Sequence, residues 1–535
     1  VHSILRTASV LWLLAATLAP ALAAAQDAAP QPLPPSPAPP IPSGENPAPS
    51  AAAPAAIPAP PSASPPPAAV AQAPGPLAAP DVWTSGYRNG SFYMRSPDDV
   101  FRLYVQGRVH VDWYDAFAPG LGSLAPGQAA PQGFELRRAR LELAGEFFQT
   151  WQWQVGAEFA PSSDDNAPAT TASLSCKVNA TTAVQTCVPQ ENAIDNPSVK
   201  PAPTDVFVNY AGTPWTNIEV GQFYLPFSLE NRISDNTTAF LERALVIRNV
   251  AAPLQRDIGA MFWGESPDHL LYYAVAILDG DGPNRPNIDS SYDFAGRVFA
   301  RPLANLAVGP SKWAQVGFSV HAGYRDQNKV GYDMPSMTTS EGFAFWKPTY
   351  TDSQGRLIHI LPSNVQQAYG GDVYLPVGNL DVTSEFVYAD YRTREAVDGY
   401  QLSPFTERLG GLSGWGLYAQ VGYWILGDHD IIGYPSYGRP IHVDLSKPQK
   451  RPEQGLQLAA RFEALGLTYK GSSRAGTPDS KSPDGDINLT SFTLGANYWA
   501  TRHLRVGVNY AYYSLPRRSL LTEAHELSAR VGVQF

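Results

Sequence analysis

The stretch SFTLGANYWATRHLRVGVNYAYYS, Ser491–Ser514, alternates twice over. Phe492, Leu494, Ala496 and Tyr498 alternate with Thr493, Gly495 and Asn497. After the break at Thr501-Arg502, Leu504, Val506, Val508, Tyr510 and Tyr512 alternate with Arg505, Gly507, Asn509 and Ala511. A period of two sends successive side chains to opposite faces, so each half reads as a strand with one apolar face and small or polar residues behind it. HELSARVGVQF, ending at Phe535, repeats the pattern with Leu527, Ala529, Val531 and Val533.

Working outward, the same alternation predicts sixteen strands, near 101–114, 135–148, 151–160, 204–212, 216–223, 255–264, 269–278, 292–301, 313–325, 367–377, 379–391, 412–426, 454–469, 489–500, 503–514 and 524–535. No helical pattern of comparable length interrupts them. Long connections follow the first, third, fifth, ninth and thirteenth strands, while Gln149-Thr150, 213–215, Gly378 and Thr501-Arg502 are short. Short turns at one rim and long loops at the other describe a transmembrane β-barrel. The link Gly427–Glu453 falls on the short-turn side and breaks the alternation.

The contents of the two faces separate this reading from a soluble sandwich. Tyr and Trp crowd the strand ends, as at Trp151-Gln152-Trp153 and Tyr498-Trp499, where lipid headgroups accept them. The polar faces carry Arg102, Arg108, Asp112, Glu142, Glu158, Arg297, Glu385 and Arg461 in mid-strand. A packed core cannot hold so many charges, whereas the lumen of a sixteen-stranded barrel is wide enough for water.

The first residues, with Arg6, an apolar run to about Leu18 and small residues before Ala25, read as a secretory signal peptide over 1–25. Residues 26–80 are almost all Pro, Ala and Ser, too poor in large apolar side chains to fold, and read as a disordered linker on the periplasmic side. The barrel domain takes 81–535, with a candidate constriction loop at about 224–254. Two cysteines in an exported chain, Cys176 and Cys187, suggest a local disulfide.

A net charge of −10 with no basic stripe excludes nucleic acid as a partner. The chain lacks G-x-S-x-G and H-E-x-x-H, and its nine histidines are scattered, so the reading is not an enzyme, with no cofactor and no metal site. LDGDGPN, from Leu278, imitates a calcium loop, but Ser290 stands at the twelfth position where an acid is required. A non-conducting adhesion or structural barrel is the remaining alternative, with the Pro-rich segment and the Cys-containing loop as its working parts.

GFELRRARLELAGEFFQTWQWQVGAEFA, Gly133–Ala160, sets three arginines in four residues of a strand. With Ala139, Leu141, Leu143 and Phe147 toward lipid, Arg138, Arg140, Glu142 and Glu146 face the lumen. There a guanidinium exchanges an anion's water shell for charge-assisted hydrogen bonds, or pairs with Glu142 and Glu158 across the wall.

That stretch, together with IEVGQFYLPFSLEN, FLERAL, QLAARFEALGL and TLGANYWATRHLRVGVNYAYY, resembles the phosphate-selective porins O and P, in order from about Phe101 to Phe535. The resemblance implies an all-β, sixteen-stranded outer-membrane barrel that assembles as a homotrimer in lipid and admits small anions such as phosphate past an inward-folded third loop. It implies that Arg243 is the central anion-binding arginine, with the paired Arg137 and Arg138, Arg108, Tyr224 and the acid Asp205 around it; Arg140, inward by strand parity, and Ser234 and Arg232 on the loop complete the candidate site. SLENRISDN, Ser228–Asn236, departs from that family's GLEKATSSK pattern. Asn231 and Asn236 replace lysines, and Asp235 replaces a serine with an acceptor-only negative charge. The pattern implies weakened phosphate preference, with a weakly selective general porin for other small solutes as a further alternative and Lys329 and Lys347 of the fifth long loop as further basic candidates.

Limited proteolysis is expected to remove residues 27–80 and leave a barrel that still shifts in mobility on heating. A trimmed protein that no longer refolds overturns the linker reading.

Overall fold

The computed structural model describes residues 82–535 except 89–90, 125–131, 161–172, 179–184, 191–200, 214, 252–254, 307–308, 327–331, 398–407, 436–437, 439, 445–453 and 474–478. The signal peptide, the Pro-rich segment and Lys329 lie outside the described residues. Of Cys176 and Cys187, the backbone register sets the two residues directly opposite each other in a short hairpin.

Sixteen antiparallel strands make the wall: β1 Phe101–Phe117, β2 Gly133–Phe147, β3 Trp151–Glu158, β4 Ala202–Thr213, β5 Thr216–Tyr224, β6 Arg256–Glu265, β7 Leu271–Leu278, β8 Asp293–Ala300, β9 Gln315–Arg325, β10 Leu357–Val377, β11 Leu380–Val397, β12 Arg408–Leu426, β13 Gly455–Ser473, β14 Gly485–Thr501, β15 Leu504–Ser514 and β16 Glu523–Gln534. Each pairs with the next, and β16 returns to β1, with Val531 opposite Val111 and Arg530 opposite Asp112. Closure leaves no sheet edge facing lipid. All sixteen expected strands are present, and β10 and β12 run several residues farther into the long-loop side than the alternation suggests.

Outward residues are apolar around the circumference, from Val109 and Val111 through Val275, Phe318, Phe386, Phe462, Leu494 and Val508. Inward residues are polar or small, and most of them are buried, because loops fill much of the lumen. Hydrophobic side chains of the third long loop, L3 (225–255), including Phe227, Leu245, Val246, Ile247 and Val250, pack with Met334, Met337, Phe343, Phe345 and Trp346 of the fifth, L5 (326–356). The wall beneath them is hollowed by glycines. A Cβ on Gly416 would lie 2.4 Å from a Val246 methyl, and one on Gly507 would lie 2.8 Å from Leu241. These strand glycines seat the loop at close approach.

The long link after β12 also turns inward, which accounts for its length. Ile431 packs with Trp424 and Trp499, and Val443 packs with Tyr104 and Ala144 on β1 and β2, across the short-turn mouth. His429 Nε2 meets Asp381 Oδ1 at 2.5 Å, and its ring stacks on Tyr434, which stacks on Trp313. A hairpin of Thr84–Arg88 and Ser91–Arg95 completes this rim by pairing with β1 at Arg102–Val105.

Val508→Arg, which puts a charge on the lipid face in the middle of β15, is expected to cost about 2–4 kcal/mol of unfolding free energy in lipid vesicles. Denaturant titration followed by tryptophan emission measures it.

Candidate functional site

L3 crosses the lumen because the wall offers side-chain partners for its backbone nearly all the way round. Ser228 N donates to Ser319 Oγ on β9 at 3.0 Å, and the amides of Leu229 and Glu230 donate to the two oxygens of Glu385 on β11 at 3.0 and 2.8 Å. Leu245 N donates to Glu463 on β13 at 2.6 Å. In the other sense, Arg461 donates to Glu242 O, Asn497 to Ala239 O and Arg530 to Leu241 O, at 3.1, 2.7 and 2.7 Å. Buried loop backbone would otherwise carry unsatisfied groups.

The arginine row of β2 meets the acids of this loop. Between His110 and Val111 the register against β2 shifts by one residue, leaving Arg137 as the extra residue of a bulge. A bulge re-aims side chains, so the consecutive residues Arg137 and Arg138 are both buried on the lumen side. Asp235 receives Arg108, Arg138 Nε at 2.8 Å and Arg140 Nη1 at 3.2 Å. Glu242 receives Arg137 Nε at 3.2 Å, Arg138 Nη1 at 3.5 Å and Arg530 Nη2 at 2.9 Å. Burial works to raise the Asp235 carboxyl, and Arg108, Arg138 and Arg140 outweigh it, holding the group well below the usual carboxylate range. The wall pairs also form: Arg108 with Glu142 and Arg140 with Glu158, each at 2.7 Å.

Arg243 lies apart from this row. Its guanidinium donates to Glu230 O, Ile233 O and Gln255 Oε1 at 3.2, 2.8 and 3.3 Å, and sits 5.6 Å from the Tyr224 ring centroid. Arg256 is closer, 3.6 Å from that ring, and is held bidentate by Asp205 at 3.1 and 2.9 Å. Arg232 donates to the carbonyls of Tyr224 and Gly438, joining L3 to the link after β12. Ser234 is exposed and caps its own turn, accepting from Asn236 N. Asn231 is wholly buried and donates to Leu225 O and Gln255 O within the loop, whereas Asn236 lines a cavity of about 340 Å³ with Arg108 and Glu142. Asp205, Tyr224 and Arg243 thus form one group with Arg256, and Arg108, Arg137, Arg138 and Arg140 form another around Asp235 and Glu242.

The clamping partners Arg530, Arg256 and Glu463 were not singled out from sequence as site residues. Their only signal is a charge on the lumen parity of a strand, as in Arg530 between the outward Ala529 and Val531. On the long-loop side of L3 a cavity of about 120 Å³ is lined by Asp257, Asp281, Asp289 and Asp293 as well as Arg285 and Arg325. Among the described residues, no group of three His, Cys, Asp or Glu is disposed to hold a metal ion.

A closed barrel with an apolar exterior, a charged interior and an inward third loop is an outer-membrane channel barrel. The chain belongs to the phosphate-selective porin O and P family, whose description it matches over residues 105–535. Among solved structures it is similar to a loop L8 deletion mutant of OmpT, an outer membrane protein of Vibrio cholerae, at 10% identity, covering 82% of this chain and 100% of that one with a TM-score of 0.44. It is also similar to the outer membrane channel DcaP of Acinetobacter baumannii, at 8% identity, covering 82% and 99% with a TM-score of 0.40. No curated protein matches.

Asp235→Asn is expected to release the row from its main counter-charge and raise chloride over potassium permeability by roughly threefold or more. That is a small part of the on-the-order-of 4 kcal/mol Coulomb effect of one charge at about 4 Å in a dielectric near 20. Reversal potentials in a salt gradient measure it, and an unchanged ratio removes Asp235 from the permeation path.

Proposed function

We propose that the protein is a passive outer-membrane channel for small hydrophilic solutes, with a charge-balanced constriction at L3 and only a modest bias toward anions such as phosphate. The observation that carries this is the pairing of the β1, β2 and β16 arginines with Asp235 and Glu242. An anion entering the row competes with carboxylates that are already seated on the guanidinium groups. It gains charge-assisted hydrogen bonds only by displacing them, so the site exchanges ligands without holding one tightly. The mixed lining of the cavity on the long-loop side, acids beside Arg285 and Arg325, favours the same weak discrimination.

In this reading, Arg108, Arg137, Arg138 and Arg140 form the wall along which an anion passes. Arg243 and Arg256 with Tyr224 and Asp205 brace the root of L3, and Arg232 ties the loop to the periplasmic link. Replacing the family's lysine at Asn236 and its serine at Asp235 removes a cation and a neutral donor from the path, while Asn231 is a strut inside the loop. The channel works as a homotrimer in lipid, with the Pro-rich segment on the periplasmic side, and carries out no reaction. A second reading, a non-conducting structural barrel, draws on the apolar L3–L5 cluster that occupies part of the lumen.

Planar bilayers separate the two: stepwise openings support the channel, and none at any voltage supports the structural barrel. Phosphate titrated into a chloride current is expected to block only at millimolar levels. Asp235→Ser with Asn236→Lys is expected to strengthen the block by at least an order of magnitude, since one charge gained and one removed act at short range. Block of the unmodified protein at low micromolar phosphate overturns the weak-selectivity reading.

A further inference from the structure

L5 carries a buried acid that the channel reading leaves unused. Glu341 is 5% exposed, its carboxyl has no ion-pair partner among the described residues, and the neighbour placed to donate to it is the Ser528 hydroxyl on β16. The Glu341 backbone N–H donates at 3.2 Å to Glu526 Oε2 on β16, so the two carboxyl groups are neighbours. Glu526 is fully engaged, taking Thr339 Oγ1 on its other oxygen. An ionised Glu341 here would be a buried charge beside a like charge, with one hydroxyl donor and no cation to offset it. The other charges facing the pair are Asp112 and Asp115 on β1 and Arg248 of L3. Asp112 is held bidentate by Arg530 at 2.7 Å on both oxygens, and Arg248 donates to Thr339 O at 3.1 Å. Tyr513 on β15 donates nothing to Glu341; its hydroxyl accepts from Ser340 N at 3.3 Å. None of these supplies a cation to Glu341.

We propose that residues 332–356 of L5 stay docked in the lumen with the help of a proton carried by the Glu341–Glu526 pair, which makes them a pH-sensitive lid that loosens as the medium becomes alkaline. Burial, and then the Glu526 charge, push the Glu341 carboxyl from its ordinary 4.5 up to about 10. The docked loop therefore binds a proton that the released loop gives up above 4.5. Docking is strongest in acid, and it weakens steadily between 4.5 and about 10, by up to about tenfold in the docked-to-released ratio per pH unit for one proton. When the proton leaves, repulsion acts on Thr339–Phe343 against the apolar contacts of Phe343, Phe345 and Trp346 and the hydrogen bonds of Thr338 and Thr339 with Asn249 and Arg248 of L3.

The conductance readout rests on the channel reading, so a second readout that needs no conduction is paired with it. A spin label at Ser336→Cys, an exposed L5 position, in a background with Cys176 and Cys187 changed to Ser, reports the mobility of the loop in vesicles. The mobile fraction is expected to rise reversibly from pH 5 to pH 10, and single-channel records are expected to gain a larger conductance level over the same range. Glu341→Gln keeps the neutral form and is expected to hold the loop immobile at every pH. A rise that persists in Glu341→Gln overturns the proposal, as does a loop that stays immobile to pH 10 in the unmodified sequence. Release by a chelator at constant pH also overturns it, because a bridging divalent cation would then hold the pair. Label mobility that follows pH in a protein that passes no current supports the lid and defeats only the channel reading.

Discussion

Hydrocarbon supplies no hydrogen-bond partner, so each N–H and C=O of the wall must find one in a neighbouring strand. The sheet meets that demand by closing on itself, β16 against β1, and the rest of the architecture follows from the width that sixteen strands impose. Such a lumen is too wide to be filled by wall side chains, so chain from both rims enters it. Chain inside a lumen brings its own backbone polar groups, and these again need partners. Glu385, Glu463, Arg461 and Arg530 serve that need, each reaching from a strand to an amide or carbonyl of L3. The charges on the inner faces are therefore first a means of holding a loop in place, and only then a means of touching a solute.

The same groups set the electrostatics of the interior. Arginines taken this far from water are tolerable only when paired, and the Arg137–Arg140 row finds its pairs partly across the wall and partly in L3. Because Asp235 and Glu242 belong to the loop, loop position and local charge are one variable. A shift of L3 by a few ångströms uncovers guanidinium groups. The bulge at Arg137 concentrates this coupling, since it sets two neighbouring side chains on one face where a regular strand allows one.

The wall was legible in the sequence because lipid on one side and water on the other enforce a strict period of two. Val506, Val508 and Tyr510 declare their face without any partner being known. The third loop's place in the lumen was visible only through resemblance, although Gly416, Gly495 and Gly507 on the lumen parity of their strands carried a physical hint: a glycine there marks something passing close. The arginine row was readable as lumen-facing, with Glu142 and Glu158 as its wall partners, but its partners in L3 were not. Asp235 is 127 residues from Arg108, and no local pattern records a contact at that separation. The link after β12 was legible only as an exception. Its apolar residues Ile431 and Val443 are too few and too widely spaced to show a period, and what they cover is set by Trp424 at the end of β12 together with Trp499 and Tyr104 on strands distant in sequence.

The rim hairpin bears on how the barrel comes to be closed. β16 reaches β1 only from Arg108 upward; below that point Phe535 exchanges hydrogen bonds with Gly107, its ring lying where a Cβ on that glycine would stand, and Ser91–Arg95 takes over the pairing. The two edges that must meet are separated by some four hundred residues, the slowest kind of contact for a chain to make. Until they meet, the exposed edge of β1 is an invitation to any other strand. A hairpin adjacent in sequence zips onto part of that edge at little entropic cost. Pairing there shortens the length of seam that β16 must close, and it sets the Phe92 ring 6.3 Å from that of Phe535.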